Sequence, residues 1–390
     1  MQKDFLPYGR HSIDEDDLRA VREALTSGWL TQGPRVDEFE RQAAAHFGVK
    51  HAVAVSSGTA ALHLSCLALG AGPGQRVITT PNTFVASANC FIYCGAEPVF
   101  ADIGPLDYQL DPKQVGKALA KDKKKQIKGI VGVDFAGLAG DWEPIMKLAK
   151  ERGLWTIRDA CHAPGAQWKD SKGNKHRVGD ATGADAVVLS LHPVKHFTSG
   201  EGGLVLTDRE DLAKRVRQLR THGITKDPEE MNQKAPGDWI YEMQELGFNY
   251  RITDFQCALA SSQLKKLDGW IRRRQEIAAL YRKLLDDVEE AILPAEPPGR
   301  EHVYHLFVVL IPNRDRVFEA MRSAGIGVQV HYIPVHTQPF YQKRFGFKWG
   351  DFPKAEEYYK RAISLPIFPA MTDQDVKRVA DCLKQALTNR

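Results

Sequence analysis

One lysine stands between an apolar run and a glycine-rich turn. The segment Ser190-Leu-His-Pro-Val-Lys195 follows the apolar residues 184–189, and residues 200–203 read Gly-Glu-Gly-Gly. A lysine amine placed beyond the end of a strand can form a Schiff base with an aldehyde and can later carry protons as the free amine. A lysine taken alone is usually a surface residue, so Lys195 indicates chemistry only if suitable partners lie near it.

An aspartate ends a second apolar run. Asp159 precedes Ala-Cys-His162 and follows the apolar residues 154–157. Ligands of open α/β sheets bind beyond the carboxyl ends of the strands, and a carboxylate there needs a cation or hydrogen-bond donors around it. The protonated nitrogen of a pyridine ring is such a partner. The alternative is that Asp159 only caps the next turn.

A third segment resembles a helix start that can bind an anion. Ser56-Ser57-Gly58-Thr59 follows the apolar run 51–55 and opens a helical stretch. The first turn of a helix offers unpaired N–H groups and the positive end of the helix dipole. Gly58 would let the backbone approach a phosphate, and Thr59 would add a hydroxyl. Taken alone, such a segment is more often an ordinary helix cap, because many helices start with Ser-Gly-Thr.

The three segments together indicate one cofactor. Pyridoxal phosphate (PLP) requires a phosphate site, an anion for its ring nitrogen and an amine for its aldehyde. Thr59, Asp159 and Lys195 could supply these in chain order on successive α/β units. Phe84 adds an aromatic ring that could stack on the cofactor, although it could also be a core residue. The sequence therefore predicts a PLP site at one edge of a sheet.

The elements that would position this site alternate between strand and helix. Candidate strands are 51–55, 76–80, 97–102, 127–133, 154–158, 185–190 and 203–207. This alternation is typical of an α/β layer with a mostly parallel sheet. Before it, Ser12 and Glu15 fit a capping box, and Leu18, Val21 and Leu25 would form the apolar face of a first helix.

The pattern of short strands and helices changes after residue 254. We expect one long helix over 255–288, bent near Gly269, then strands over 303–311 and 327–332 and a closing helix over 373–387. This predicts a large PLP-binding α/β domain over 1–254, with an N-terminal helical segment. A smaller α+β domain over 255–390 would follow it.

Composition excludes several classes of protein. The 390 residues are 43% hydrophobic and 26% charged, with a net charge of +4, which is ordinary for a globular protein. The charge is too mild for a dedicated nucleic-acid binder, and no apolar run reaches the roughly 18 residues of a membrane span. The six cysteines form no pattern of metal ligands. The first ten residues lack the apolar stretch of a signal peptide, so we expect a cytoplasmic protein without a metal.

The chain resembles the DegT/DnrJ/EryC1/StrS sugar aminotransferases, which are PLP enzymes of fold type I, along nearly its whole length. The matching segments are Ser56–Leu62, Asp159–His162, Ser190–Gly203 and Gly247-Phe-Asn-Tyr-Arg-Ile-Thr-Asp254. The resemblance implies the fold of that group and PLP as cofactor. It also implies a homodimer whose active sites are shared between the two subunits.

Further segments resemble the pseudaminic acid branch of the family. They are Pro7-Tyr-Gly9, Trp29–Pro34, His222–Thr225, Val328–His336 and Ile363–Pro366. The implied reaction transfers an amino group from L-glutamate to C4 of UDP-4-keto-6-deoxy-N-acetyl-β-L-altrosamine. The alternatives are another nucleotide-linked keto sugar, of the perosamine, bacillosamine or dTDP-amino sugar type, or a catalytically silent protein that binds PLP or a nucleotide sugar.

The resemblance also assigns roles to residues. Lys195 would carry the covalent bond to the cofactor, Asp159 would pair with its ring nitrogen, and His162 would lie near its phenolic oxygen. The phosphate would be held by Gly58, Thr59, Ser190 and, from the other subunit, Asn249. The segments implied to bind the nucleotide sugar contain Tyr8, Gly28, Trp29, Leu30, Thr31, His331, Tyr332, Ile333 and Pro334.

Overall fold

A computed structural model describes residues 5–233 and 237–388. The helices are α1 (Glu15–Leu25), α2 (Pro34–Phe47), α3 (Gly58–Ala68), α4 (Ala86–Tyr93), α5 (Pro112–Lys121), α6 (Trp142–Arg152), α7 (Glu210–Leu219), α8 (Asp254–Leu264), α9 (Leu267–Leu284), α10 (Arg314–Ser323), α11 (Pro339–Phe345), α12 (Pro353–Arg361) and α13 (Asp373–Thr388). The strands are β1 (His51–Val55), β2 (Arg76–Thr79), β3 (Glu97–Phe100), β4 (Ile127–Val133), β5 (Trp155–Asp159), β6 (Gln167–Lys169), β7 (Lys175–Arg177), β8 (Ala186–Ser190), β9 (Gly203–Thr207), β10 (Ile224–Thr225), β11 (Glu242–Met243), β12 (Phe307–Leu310) and β13 (Ala362–Leu365). Short 3₁₀ turns cover Phe135–Gly137 and Val335–Thr337.

A seven-stranded sheet forms the centre of the molecule, in the order β1-β9-β8-β5-β4-β2-β3. Only β9 runs antiparallel to its neighbours in this sheet. The predicted α/β fold with a mostly parallel sheet is therefore confirmed. The seven strands predicted from the sequence are all present, and their ends differ from the prediction by one or two residues at most.

Helices cover both faces of the sheet, which explains why its strands are apolar throughout. One apolar cluster joins α2 and α8 to alternate residues of β1, β8 and β9, such as Val187 and Leu204. The other cluster joins α3, α4 and α7 to the strand residues that face the other side of the sheet, such as Val188 and Val205. Each buried Val or Leu contributes about 1.5–3 kcal/mol, so both layers hold the strand ends firmly in place.

The first helix begins later than the capping-box pattern predicts. Asp14, not Ser12, is the N-cap, and it exchanges hydrogen bonds with Asp17 in the third helical position. Asp17 is buried, and its carboxylate lies 2.8 Å from the Lys266 ammonium. The predicted apolar face is also wrong, because α1 packs on α8 through Asp17 and Ala24. Leu18 is 47% exposed and Leu25 is 52% exposed.

The predicted helix over 255–288 is two helices. It breaks between Leu264 and Leu267, where Lys266 turns toward α1, and Gly269 lies inside the regular helix α9. Residues of α8 and the start of α9 pack in the apolar cluster of α2, whereas residues from Ile277 onward pack with the C-terminal elements. The domain boundary at residue 254 stays a prediction.

A smaller layer forms the C-terminal part, where β12 pairs antiparallel with β13 and packs against α9, α10 and α13. The predicted strand over 303–311 is shorter, because Tyr304 has a left-handed backbone with φ of 50° just before β12. The predicted strand over 327–332 is absent; that stretch makes a single bridge, from Gln329 to Ser364. In the described part of the chain, no helix is long and apolar enough to cross a membrane.

Candidate active site

A cavity of about 480 Å³ opens at the carboxyl edge of β5 and β8. Residues from distant parts of the sequence meet there because parallel strands end at the same edge of a sheet. The sequence-predicted residues that line the cavity are Tyr8, Gly58, Thr59, Phe84, Asp159, His162, Ser190, Lys195, His331 and Tyr332.

Lys195 lies on the loop that joins β8 to β9. Its backbone N–H donates to the carbonyl of His192 at 2.9 Å, and the two ends of the loop are tied by Leu191 N–H to the carbonyl of Gly202 at 2.8 Å. Burial lowers the pKa of the Lys195 amine, and the negative charge of Asp159 opposes this effect in part. A lowered pKa increases the fraction of free amine, which is the nucleophilic form.

Asp159 is the last residue of β5, and its carboxylate accepts two hydrogen bonds, one of them from a donor that is itself held by a third residue. Ser87 donates to Oδ2 at 2.7 Å, and the Cys161 backbone N–H donates to Oδ1 at 3.2 Å. Thr83 Oγ1 lies 2.7 Å from Ser87 Oγ. Because the single proton of Ser87 goes to the carboxylate, Thr83 must be the donor to Ser87. This chain fixes the plane of the carboxylate at the cavity wall.

The helix start of α3 meets the end of β8 at very short range. A Cβ atom added to Gly58 would lie 2.8 Å from Ser190 Cβ, so only glycine allows the two segments to approach this closely. Ser57 is the N-cap, and its side chain accepts the N–H of Ala60 at 3.0 Å. The cap occupies the N–H of Ala60, and Gly58 and Thr59 are the first-turn residues that line the cavity beside Ser190.

Aromatic side chains form part of the cavity wall. The Tyr8 and His331 rings lie 5.6 Å apart, and Phe84 lies 6.1 Å from Tyr332. Phe84 is 56% exposed, so it is not the core residue that the alternative interpretation requires. The Nδ1 atom of His331 is hydrogen-bonded to Ser364 Oγ on β13 at a distance of 2.8 Å. Burial lowers the pKa of His331 to about 3. The C-terminal layer thus fixes this wall, and His331 is uncharged near neutral pH.

His162 is bonded on both ring nitrogens. The backbone N–H of Ala136 donates to Nδ1 at 3.3 Å, and Nε2 lies 3.1 Å from the Tyr332 hydroxyl. Burial lowers the pKa of His162 well below its ordinary value, and the Lys195 charge acts in the same direction. The expected contact of His162 with a phenolic oxygen of the cofactor stays a prediction.

Several lining residues were missed by the sequence analysis. Thr83 lines the cavity, and Ser87, which is outside the lining, donates to Asp159. Their spacing of four places both on one side of a helical turn and could have indicated them. Cys161 lies inside the segment that contains Asp159. His305 comes from the residues before β12 and gives no local pattern, because only the packing of the C-terminal layer brings it to the cavity.

Other predicted residues lie outside the lining of the cavity. These are Gly28, Trp29, Leu30, Thr31, Asn249, Ile333 and Pro334. Trp29 and Leu30 are exposed at 57% and 53%, and their segment docks on the start of α8 through Gly33 N–H and the Asp254 carboxylate at 2.8 Å. Asn249 is exposed and forms a backbone bridge with Thr221. Their roles stay predictions.

Comparison with known proteins agrees with this geometry. The family model described as "DegT/DnrJ/EryC1/StrS aminotransferase family" matches residues 11–384. The chain belongs to this family. The resemblance seen in the sequence is confirmed, and the family makes this protein a PLP-dependent sugar aminotransferase.

Individual members of the family are similar over the whole chain. The spore coat polysaccharide biosynthesis protein SpsC of Bacillus subtilis is 39% identical over 97% of this chain and 96% of its own length. The structure of Helicobacter pylori PseC, an aminotransferase of pseudaminic acid biosynthesis, is 30% identical and covers 99% of this chain and 100% of its own, with a TM-score of 0.89. The sugar aminotransferase Spr1654 of Streptococcus pneumoniae, in its PMP form, is 27% identical and covers 98% of both chains, with a TM-score of 0.89.

The residues of the cavity fit the cofactor of the family. The first turn of α3, where Gly58 and Thr59 lie beside Ser190, suits a phosphate, the fixed carboxylate of Asp159 suits a protonated ring nitrogen, and the amine of Lys195 suits an aldehyde. These three groups differ in chemistry and each matches a different part of PLP.

Proposed function

We propose that this aminotransferase transfers an amino group from L-glutamate to C4 of a UDP-linked 4-keto-6-deoxy-N-acetylhexosamine, specifically UDP-4-keto-6-deoxy-N-acetyl-β-L-altrosamine. The observation that carries this proposal is the likeness to PseC, at a TM-score of 0.89 over nearly the whole of both chains. The cavity supports it, because Tyr8 and His331, which lie on segments that resemble those binding the nucleotide sugar, line it together with Lys195.

PLP supplies an aldehyde for the amino group and a ring that accepts electrons when a C–H bond is broken. In the proposed reaction Lys195 would hold the cofactor through its aldehyde, and as a free amine it would carry a proton. Asp159 holds the proton on the ring nitrogen by charge pairing. Its own position is held by Ser87 and Thr83.

We further propose that the site is completed by a second copy of the chain. The amino donor and a nucleotide diphosphate are both anionic, yet Lys195 is the only Lys or Arg among the described residues that line the cavity. Asn249 and the half-buried Arg251 lie outside it on an exposed loop. Exposed apolar side chains of the same region support a subunit contact there, namely Trp29, Leu30, Trp239, Tyr241, Met243 and Leu246.

The direct test is an assay of the purified holoenzyme with L-glutamate against a panel of UDP- and dTDP-linked 4-keto-6-deoxy sugars, with product stereochemistry read by NMR. We expect turnover to be fastest with the β-L-altrosamine substrate and to yield its 4-amino product. Faster turnover of any other sugar of the panel would contradict the proposed substrate. The expected cytoplasmic location of the enzyme remains a prediction.

A second candidate is an aminotransferase for another nucleotide-linked keto sugar, of the perosamine, bacillosamine or dTDP-amino sugar type. The observation that favours it is the higher identity to SpsC, 39% against 30% for PseC. The same panel distinguishes the two. A silent binding protein is disfavoured by the presence of both Lys195 and Asp159 in one cavity, and addition of glutamate should bleach the visible absorption of the bound cofactor if the protein is active.

A further inference from the structure

The hydrogen bonds of His162 determine which of its ring nitrogens carries the proton. Burial lowers the pKa of His162 well below its ordinary value, so the ring is neutral near pH 7. A neutral imidazole has one N–H and one bare nitrogen. Nδ1 accepts the backbone N–H of Ala136 at 3.3 Å, so Nδ1 is the bare nitrogen and the hydrogen is on Nε2.

The same reasoning fixes the direction of the next hydrogen bond. Nε2 lies 3.1 Å from the Tyr332 hydroxyl, and since Nε2 carries hydrogen, it donates to the phenolic oxygen. The phenolic proton of Tyr332 must therefore point elsewhere. No side chain or carbonyl in the described part of the chain accepts it, and Tyr332 lines the cavity together with Lys195 and Phe84.

Tyr332 is held in this position by neighbours on several sides. Its ring lies 6.1 Å from Phe84, 6.2 Å from Phe135 and 4.8 Å from His331, whose own backbone carbonyl accepts the Tyr358 hydroxyl at 2.9 Å. Burial raises the pKa of the Tyr332 hydroxyl, so it keeps its proton at neutral pH. The structure thus presents a protonated, oriented phenol to the cavity.

We propose that Tyr332 is a catalytic acid that protonates the ketone oxygen of the sugar as that oxygen leaves, and that His162 is the residue that positions it. This inference rests on the proposed function, because it requires a ketone as substrate. It goes beyond binding, since a residue that only contacts the sugar would not need a directed proton.

The protons and electrons balance in two steps. When an amine nitrogen bonds to the ketone carbon, the π electron pair of the C=O bond moves to oxygen, which takes the proton of Tyr332, and the nitrogen returns one proton to the phenolate. When the C–O bond then breaks, the hydroxyl takes the phenolic proton again and leaves as water with the bonding pair. The second proton of the nitrogen restores the phenol as the C=N bond forms.

The test compares Tyr332→Phe with the wild-type holoenzyme and with Tyr341→Phe. Tyr341 is a matched control, because its hydroxyl is also buried and donates to Asn89 Oδ1 at 2.7 Å, away from the cavity. Removal of a general acid typically costs about 10²–10⁴-fold in rate, so we expect kcat of Tyr332→Phe to fall by at least about 100-fold. KM for the sugar and the dissociation constant of PLP, read from its absorption, should change by less than about threefold, and Tyr341→Phe should retain kcat.

A double-mutant cycle tests the positioning role. Residues that act as a unit have non-additive effects. His162→Ala should lower kcat of the wild-type enzyme. When it is added to Tyr332→Phe, kcat of the double variant should be less than about threefold below that of Tyr332→Phe alone. Additive losses would show that His162 does not act through Tyr332.

Two results would overturn the role of Tyr332 itself. One is a Tyr332→Phe enzyme with more than about a tenth of wild-type kcat. The other is a loss of kcat matched by an equal loss of PLP affinity, which would make the residue structural. If the wild-type enzyme aminates no keto sugar of the panel, the proposed function fails, and the inference fails with it; an active wild-type enzyme with an active Tyr332→Phe variant refutes the inference alone.

Discussion

Gly58→Ala tests whether the junction of α3 and β8 holds the phosphate of the cofactor. The new Cβ atom would lie 2.8 Å from Ser190 Cβ and 3.3 Å from Ser190 Cα, whereas ordinary contact begins near 3.4 Å. The contacting Cβ and Cα atoms of Ser190 cannot rotate away from the new Cβ atom. The two elements α3 and β8 must therefore separate by about half an ångström. A hydrogen bond to a charged group contributes about 1.5–3 kcal/mol. Loss of one phosphate contact should therefore weaken PLP binding by about 10- to 100-fold.

The assay is a titration of the cofactor-free enzyme with PLP, followed by the absorption of the bound cofactor. Gly72→Ala is the matched control, because a Cβ atom there meets nothing within 4 Å and the residue has no positive φ. The reasoning is refuted if Gly58→Ala binds PLP within about threefold of the wild type, or if Gly72→Ala weakens binding equally. A melting curve of each cofactor-free variant separates loss of the site from loss of the fold.

Three further predictions address the amine, the shared site and the buried ion pair. Lys195→Ala should abolish both turnover and the visible absorption of the lysine-bound cofactor, since a proton shuttle alone is worth about 10²–10⁴-fold; more than about a tenth of wild-type activity would contradict the assignment. Lys195→Ala and Asn249→Asp should each be inactive yet regain activity when mixed and allowed to exchange subunits, because one hybrid site would then contain neither lesion; absence of recovery after proven exchange would rule out a shared site. Asp134→Asn should lower the free energy of unfolding by about 3–5 kcal/mol, because the Asp134 carboxylate lies 2.6 Å from Arg158 Nε and both side chains are buried. In urea titrations the exposed pair of Asp16 and Arg19 provides the control, and Asp16→Asn should have little effect.

Local patterns in the sequence were sufficient for the sheet and for the centre of the site. The strands are short apolar runs because they are covered on both faces, so each could be located without knowledge of its neighbours. Asp159 is the last residue of such a strand, and Gly58 and Lys195 lie a few residues beyond the ends of two others. The carboxyl ends of parallel strands meet at one edge. Their proximity in the cavity therefore follows from order along the chain alone.

Boundaries of helices were less well determined, because tertiary contacts override local preference. Ser12 and Glu15 have the right residue types for a cap, yet Asp14 is the N-cap of α1, and its capping partner Asp17 also pairs with Lys266. The same lysine marks the break of the helix predicted over 255–288. A contact between residues more than two hundred positions apart does not change the hydrophobic periodicity of either segment, so the sequence pattern does not reveal it.

The sequence by itself determined the fold class, the family and the three groups predicted to bind the cofactor, since these depend on residue types and their order. Only the tertiary structure decided how the groups are oriented. The chain from Thr83 through Ser87 to Asp159 and the bond from His162 to Tyr332 each join segments that are distant in sequence. The direction of a hydrogen bond depends on where every neighbouring donor and acceptor lies, and that information exists only once the C-terminal layer has packed against the sheet edge.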